Sequence, residues 1–103
     1  MLEHQANINS LEEIRRYVVE TLSTLELLKS DRCQLRVRLL TRGGEPCGMY
    51  FCLHGPRAVR LSAIWETESN SILFYGSTGE RVQRTRLTAA PQLPVPPRNK
   101  LAG

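Results

Sequence analysis

The chain has 103 residues, a formal net charge of +4, an isoelectric point near 9.3 and a hydrophobic fraction of 41%. This length holds one domain, since typical domains contain roughly 100–150 residues. The apolar and charged fractions are those of an ordinary globular protein, and they exclude disordered and fibrous classes. A domain of this size buries only about two-thirds of its unfolded surface, so a large enclosed active site is not expected.

The N-terminus and the cysteines favour a cytoplasmic location. The opening "MLEHQANINS" lacks the basic and apolar regions of a secretory signal, and no stretch reaches the roughly 20 apolar residues of a membrane span. Cys33, Cys47 and Cys52 are odd in number and form no CxxC motif. We therefore expect a soluble protein of the reducing cytoplasm, with free thiols and no membrane partner.

Residues 10–30 have the pattern of one amphipathic helix. Ser10 and Glu13 have the spacing of a capping box, in which each side chain satisfies a backbone donor at the helix start. Apolar residues then recur three or four positions apart, at Leu11, Ile14, Val18, Leu22 and Leu25. This spacing predicts a helix of about five turns, preceded by a flexible segment over residues 1–9.

The hydrophobic period changes from 3.6 to 2 after the helix. Strands are predicted over "CQLRVRLLT", "CGMYFCLH", "AVRLSAIW", "SILFYG" and "RVQRTRL", and the last, more polar strand is expected at a sheet edge. Short turns make consecutive strands antiparallel neighbours. We therefore expect a single α+β domain over residues 10–88, with one N-terminal helix packed on a four- to five-stranded antiparallel meander.

Residues 89–103 are predicted to form a disordered proline-rich tail outside the core, because proline removes backbone donors and fixes φ. Pro94 and Pro97 have the PxxP spacing of a polyproline ligand and lie next to Arg98. Such spacing often arises by chance, and a plain disordered end is the favoured interpretation.

Cys52 and His54 are the candidate nucleophile and base. Residues two positions apart on a strand point to the same side, so the thiol and the imidazole can approach each other. A catalytic thiol also needs a group that orients the base and donors for an oxyanion, and neither is evident. We predict no catalytic residue and interpret the pair as an incidental thiol and a histidine at the Gly55-Pro56 turn. A cysteine-dependent enzyme is the least favoured of three hypotheses, and the other two concern binding.

No metal or cofactor is predicted. Cys33 and Cys47 alternate onto the core face of the strands, whereas Cys52 and His54 fall on the opposite face. Uniting the four as a zinc site would take a register error, such as a bulge at Gly48. The stretches "RGGEPCG" and "YGSTGER" lack both the spacing and the following helix of a phosphate-binding loop. Hairpin turns are the better interpretation of both.

The sheet face turned away from the helix carries the candidate binding site. If odd-numbered positions from 33 to 65 face the helix, arginines and tyrosines collect on the other side. Every cation between residues 31 and 90 is arginine, which suits bidentate phosphate contacts, although genomic base composition explains this equally well. The candidate binding residues are Arg36, Arg38, Tyr50, His54, Arg57, Arg60, Tyr75 and Arg84.

Two functions fit this face. The first is a non-enzymatic binding module that contacts nucleic acid, or another polyanion such as an acidic protein, through guanidinium groups and stacked rings. The alternative rests on Leu40, Ile64 and Leu73, which make the same face partly apolar. That composition predicts a structural or adaptor protein that forms a homodimer or docks a partner through the sheet.

Overall fold

Among the described residues, one α-helix packs against a six-stranded mixed sheet, which confirms the α+β class. The architecture comes from a computed structural model, and the structure describes residues 1–25 and 33–93. The helix is α1 (Leu11–Leu25). The strands are β1 (Leu2–Ala6), β2 (Gln34–Arg42), β3 (Glu45–His54), β4 (Arg60–Glu66), β5 (Ser71–Tyr75) and β6 (Arg81–Leu87).

The sheet order is β1-β6-β5-β4-β3-β2. Strands β2 to β6 form the predicted antiparallel meander, and β1 adds one parallel strand beside β6. β1 lies within residues 1–9, which were expected to form a flexible segment. That strand is mostly exposed and lacks a buried apolar alternation. The expectation that β6 lies at an edge is also wrong, because β1 covers it and the edges are β1 and β2.

The predicted capping box forms at the start of α1. The backbone N–H of Glu13 donates to Ser10 Oγ at 3.2 Å, and Glu13 Oε1 accepts from the Ser10 hydroxyl at 3.3 Å and from the Asn9 N–H at 3.2 Å. These bonds satisfy donors that a helix start leaves without a partner. Residues 26–30 of the predicted helix lie outside the described residues.

The core lies between α1 and the inward positions of the central strands. Ile14, Val18 and Leu22 of α1 have no exposed surface, and they pack in one cluster with the large buried side chains of the sheet. Burying each such side chain contributes roughly 1.5–3 kcal/mol. The inward set confirms the predicted alternation over residues 33–65; its fully or nearly fully buried members are Met49, Phe51, Leu53, Leu61, Ala63 and Trp65.

A small polar network fixes α1 on the sheet. The hydroxyls of Tyr17 and Thr85 lie 2.8 Å apart, and the amide of Gln83 donates to Thr85 Oγ1 at 3.1 Å. The Tyr17 ring also meets Phe74 edge-on, with 5.9 Å between the ring centroids. Buried polar groups need hydrogen-bond partners, and these are satisfied in the observed orientation of α1. The network therefore favours this orientation of the helix on the sheet over slightly rotated ones.

Asn70 joins the β4–β5 turn to the chain that follows β6. Its backbone has a φ of 50°, its Oδ1 accepts from Trp65 Nε1 at 3.3 Å, and its amide nitrogen donates to the Ala89 carbonyl at 2.7 Å. Just beyond, Pro91 is buried and Leu93 packs against the core. The predicted tail therefore does not begin at residue 89; residues 94–103 lie outside the described residues.

Candidate polyanion-binding face

The strand register organises the sheet face that points away from α1, which we call the outer face. Residues directly opposite each other on paired strands share a face, so the outer face divides into rows. The central row is Arg38, Tyr50, Ile64, Leu73 and Arg84, crossing from β2 to β6. The next row is Arg36, Cys52, Ser62, Tyr75 and Arg81, and it is followed by Gln34, His54 and Arg60.

Arginine dominates the charge of the outer face. Arg36, Arg38 and Arg60 are exposed, and the rows add Arg81 and Arg84. Three acids share that side in the described part of the sheet: Glu3 beside Arg84, Glu45 opposite Arg42, and Glu66 beside Ser71. The outer face therefore carries an excess of positive charge, which attracts anionic partners before any contact forms.

Seven of the eight sequence-predicted binding residues share the outer face. The eighth, Arg57, does not belong to the sheet, because it lies exposed in the tight turn Pro56–Ala58 between β3 and β4. Arg57 and Ala58 both have a φ of 60°, a region that favours glycine. This turn returns the chain so that Arg60 lies opposite His54.

Sequence reasoning missed Arg81. Strict alternation along β6 groups it with the inward Gln83, but the register shifts between Phe74 and Tyr75, and this shift sets Arg81 opposite Tyr75. The Arg81 guanidinium lies 5.8 Å from the centroid of the Tyr75 ring, and its Nη2 donates to the Tyr75 hydroxyl at 3.4 Å. After a bulge, each residue of the strand lies on the opposite sheet face from the one that strict alternation predicts. Nothing in the β6 sequence indicates that a bulge is present.

Tyr50 occupies the middle of the arginine-rich half of the outer face. Burial raises the pKa of its phenol, and both the charge of an ionised Cys52 and a hydrogen bond with that side chain raise it further. Ser62 and Arg38 act in the opposite direction and do not cancel these effects. The phenol is thus held neutral, on a half-buried side chain that lies between Arg38 of β2 and Ile64 of β4.

The structure brings Cys52 and His54 together, which the sequence analysis treated as incidental. Cys52 Sγ lies 3.3 Å from His54 Nε2, within hydrogen-bond distance for a sulfur atom. Both are half-buried at one side of a groove of about 520 Å³. A thiol and an imidazole at this distance can exchange a proton, although within residues 1–25 and 33–93 no second hydrogen bond orients His54 as in a catalytic triad.

We also searched residues 1–25 and 33–93 for a metal site and for a membrane-spanning helix. There, no three side chains of His, Cys, Asp or Glu come close enough to hold a metal ion. No helix in the same ranges has the length and apolar character needed to cross a bilayer. Comparisons with protein-family models, with curated proteins and with solved structures found no match.

Proposed function

We propose that this protein is a non-enzymatic binding module that contacts single-stranded nucleic acid through its outer face. The observation that carries the proposal is the exposure of Arg36, Arg38 and Arg60 on the side of the sheet that also presents Tyr50 and Tyr75. Guanidinium groups bind phosphate oxygens in pairs of hydrogen bonds, and aromatic rings accept unpaired bases.

The arginines are spaced to follow an extended backbone. Arg36 and Arg38 lie two residues apart on β2, a rise of about 7 Å, and they are exposed along the edge of the sheet. A strand edge lined by arginine discourages pairing with other proteins and leaves the guanidinium groups accessible. A nucleic acid strand that runs along β2 meets both.

The tyrosines supply the contacts that do not depend on charge. Tyr50 and Tyr75 lie in adjacent rows, separated by β4, so they accept bases that are splayed apart. Stacking a base on an aromatic side chain contributes about 1–3 kcal/mol and tolerates any base. Tyr75 already holds Arg81 over its ring, and that guanidinium can turn to a phosphate when a base takes its place.

Two observations favour this function over pairing of two copies through the same face. Leu73, at the centre of the outer face, is only 8% exposed and its neighbour Ile64 is half-buried, so this pair offers a partner little apolar surface. A symmetric dimer would also set the arginines of one copy against those of the other. Antiparallel pairing of two β2 edges centred on Val37 would place Arg36 opposite the second copy's Arg38, and like charges directly opposite are destabilising.

A salt titration tests the proposal. Affinity for a fluorescent single-stranded oligonucleotide of about 16 nucleotides is measured by anisotropy from low to physiological salt. Each phosphate contact contributes about −0.7 to the slope of log affinity against log salt. Replacing both arginines in Arg36→Gln/Arg38→Gln should weaken binding and reduce the slope by about 1.4.

The matched control is Arg15→Gln/Arg16→Gln, which removes the same charge from the exposed surface of α1 on the other side of the sheet. It should change the slope by much less than the β2 variant. Equal effects of the two variants would mean that net charge alone attracts the oligonucleotide. Absence of binding at low salt, together with a concentration-dependent dimer in light scattering, would replace this function with pairing through the sheet.

A further inference from the structure

The Cys52–His54 pair lies in a groove whose charged partners are all cationic. The groove is lined by Arg36, Val37, Arg38, Tyr50, Cys52 and His54, none of which is an acid. We propose that Cys52 is a thiol–disulfide exchange site that reacts with small anionic disulfides. This proposal is independent of nucleic acid binding, because it depends on the thiol, its base and the neighbouring guanidinium groups.

Each neighbouring strand contributes to the surroundings of Cys52. From β2, Arg36 lies directly opposite the thiol, and from β4, Ser62 flanks it on the other side. On β3 itself, His54 Nε2 lies 3.3 Å from Cys52 Sγ, and the side chain of Tyr50, two residues before Cys52, hydrogen-bonds with the thiol. The guanidinium groups beside Cys52 attract an anionic reagent toward its sulfur.

The exchange balances with the groups present. His54 Nε2 takes the thiol proton, and the Cys52 thiolate attacks one sulfur of the disulfide. A new sulfur–sulfur bond forms to Cys52 while the original one breaks, and the departing thiolate accepts the proton from His54. Cys52 is oxidised to a mixed disulfide, and the other half of the small disulfide is reduced to a free thiol.

Arg36 and Arg38 determine which disulfides react. A carboxylate on the incoming molecule meets these guanidinium groups as its sulfur approaches Cys52, whereas an ammonium group is repelled. A unit charge at about 6 Å, in a half-exposed site with an effective dielectric constant of about 40, changes a rate about tenfold. The groove therefore selects anionic over cationic disulfides of the same size.

Three disulfides of nearly equal length test this selection: 3,3′-dithiodipropionate, bis(2-hydroxyethyl) disulfide and cystamine, which are anionic, neutral and cationic. Adduct formation on the full-length chain is followed by mass spectrometry, and peptide mapping locates the adduct among Cys33, Cys47 and Cys52. Cys52 should react with dithiodipropionate at least about tenfold faster than with cystamine. The neutral compound should be intermediate. Equal rates, or modification of the other two thiols in preference, would overturn the proposal.

Variants identify the groups responsible. Arg36→Gln/Arg38→Gln should bring the three rates together, whereas Arg15→Gln/Arg16→Gln on α1 should preserve their order. His54→Gln should slow the reaction at pH 7 and leave the rate at pH 10 nearly unchanged, because hydroxide in the solvent then replaces His54 as the proton acceptor. Equal slowing at both pH values would show that His54 only supports the local structure. An unchanged charge preference in the β2 variant would refute the assigned role of the groove.

Discussion

Replacing Asn70 with alanine tests how the β4–β5 turn holds the sheet to the chain after β6. The side chain accepts one hydrogen bond from Trp65 Nε1 and donates to the carbonyls of Ala89 and Leu87, at 2.7 and 3.4 Å. Trp65 is 1% exposed, so water cannot easily replace the lost acceptor. Three net hydrogen bonds of about 1 kcal/mol each give a loss of about 3 kcal/mol. The positive φ of 50° adds about 1 kcal/mol for alanine.

We therefore expect Asn70→Ala to lower the free energy of unfolding by about 3–4 kcal/mol, a large part of the stability of a small domain. Urea unfolding followed by far-ultraviolet circular dichroism measures the loss as a lower midpoint with an unchanged slope. Asn70→Gly is the matched control, since it removes the same hydrogen bonds but tolerates the backbone conformation. It should lose about 1 kcal/mol less than alanine. A loss below about 1 kcal/mol in Asn70→Ala would refute the assigned role of the side chain.

Three further predictions concern the sheet and its turns. Gly48→Ala should destabilise the fold by about 1–3 kcal/mol in urea unfolding, because its Cβ would collide with the Trp65 carbonyl oxygen; Gly76→Ala, whose Cβ has space, should not. Ala58→Gly should raise the unfolding midpoint by relieving the φ of 60°, and a lower midpoint would contradict this account of the turn. The raised pKa of Tyr50 means that its stabilising contribution is present below about pH 10 and is lost as pH rises through the folded value. Unfolding of Tyr50→Phe should therefore change less between pH 9 and 11, and equal alkaline losses in both proteins would exclude this effect.

The sequence predicts the meander and its two faces because apolar residues alternate with polar ones wherever one side of a strand is buried. Phe51 and Trp65 lie inward and Arg36 and Arg38 lie outward for that reason. β1 escapes prediction because backbone pairing with β6 holds it in place, and that pairing needs no particular side chains. Because its residues are mostly exposed, apolar and polar side chains do not alternate along β1.

The site was predictable in composition but not in detail. Alternation places Cys52 and His54 on one side, yet the 3.3 Å between Sγ and Nε2 depends on the rotamers, which spacing alone does not determine. Arg81 joins Tyr75 only because the register shifts at the end of β5. Arg57 shows the opposite error, since it was grouped with the outer-face residues although it lies in the tight turn between β3 and β4 and not on a strand.

The parallel pairing of β1 with β6 has a consequence for the order in which the molecule assembles. Strands β2 to β6 each pair with the next strand along the chain. β1, in contrast, pairs with β6, which lies near the other end of the described residues. Closing so long a loop costs entropy that only the completed neighbour strand can offset. We therefore expect β1 to pair with β6 last during folding and to detach first. Among the hydrogen-bonded amides of the sheet, those of β6 that bond to β1 should then exchange with deuterium fastest.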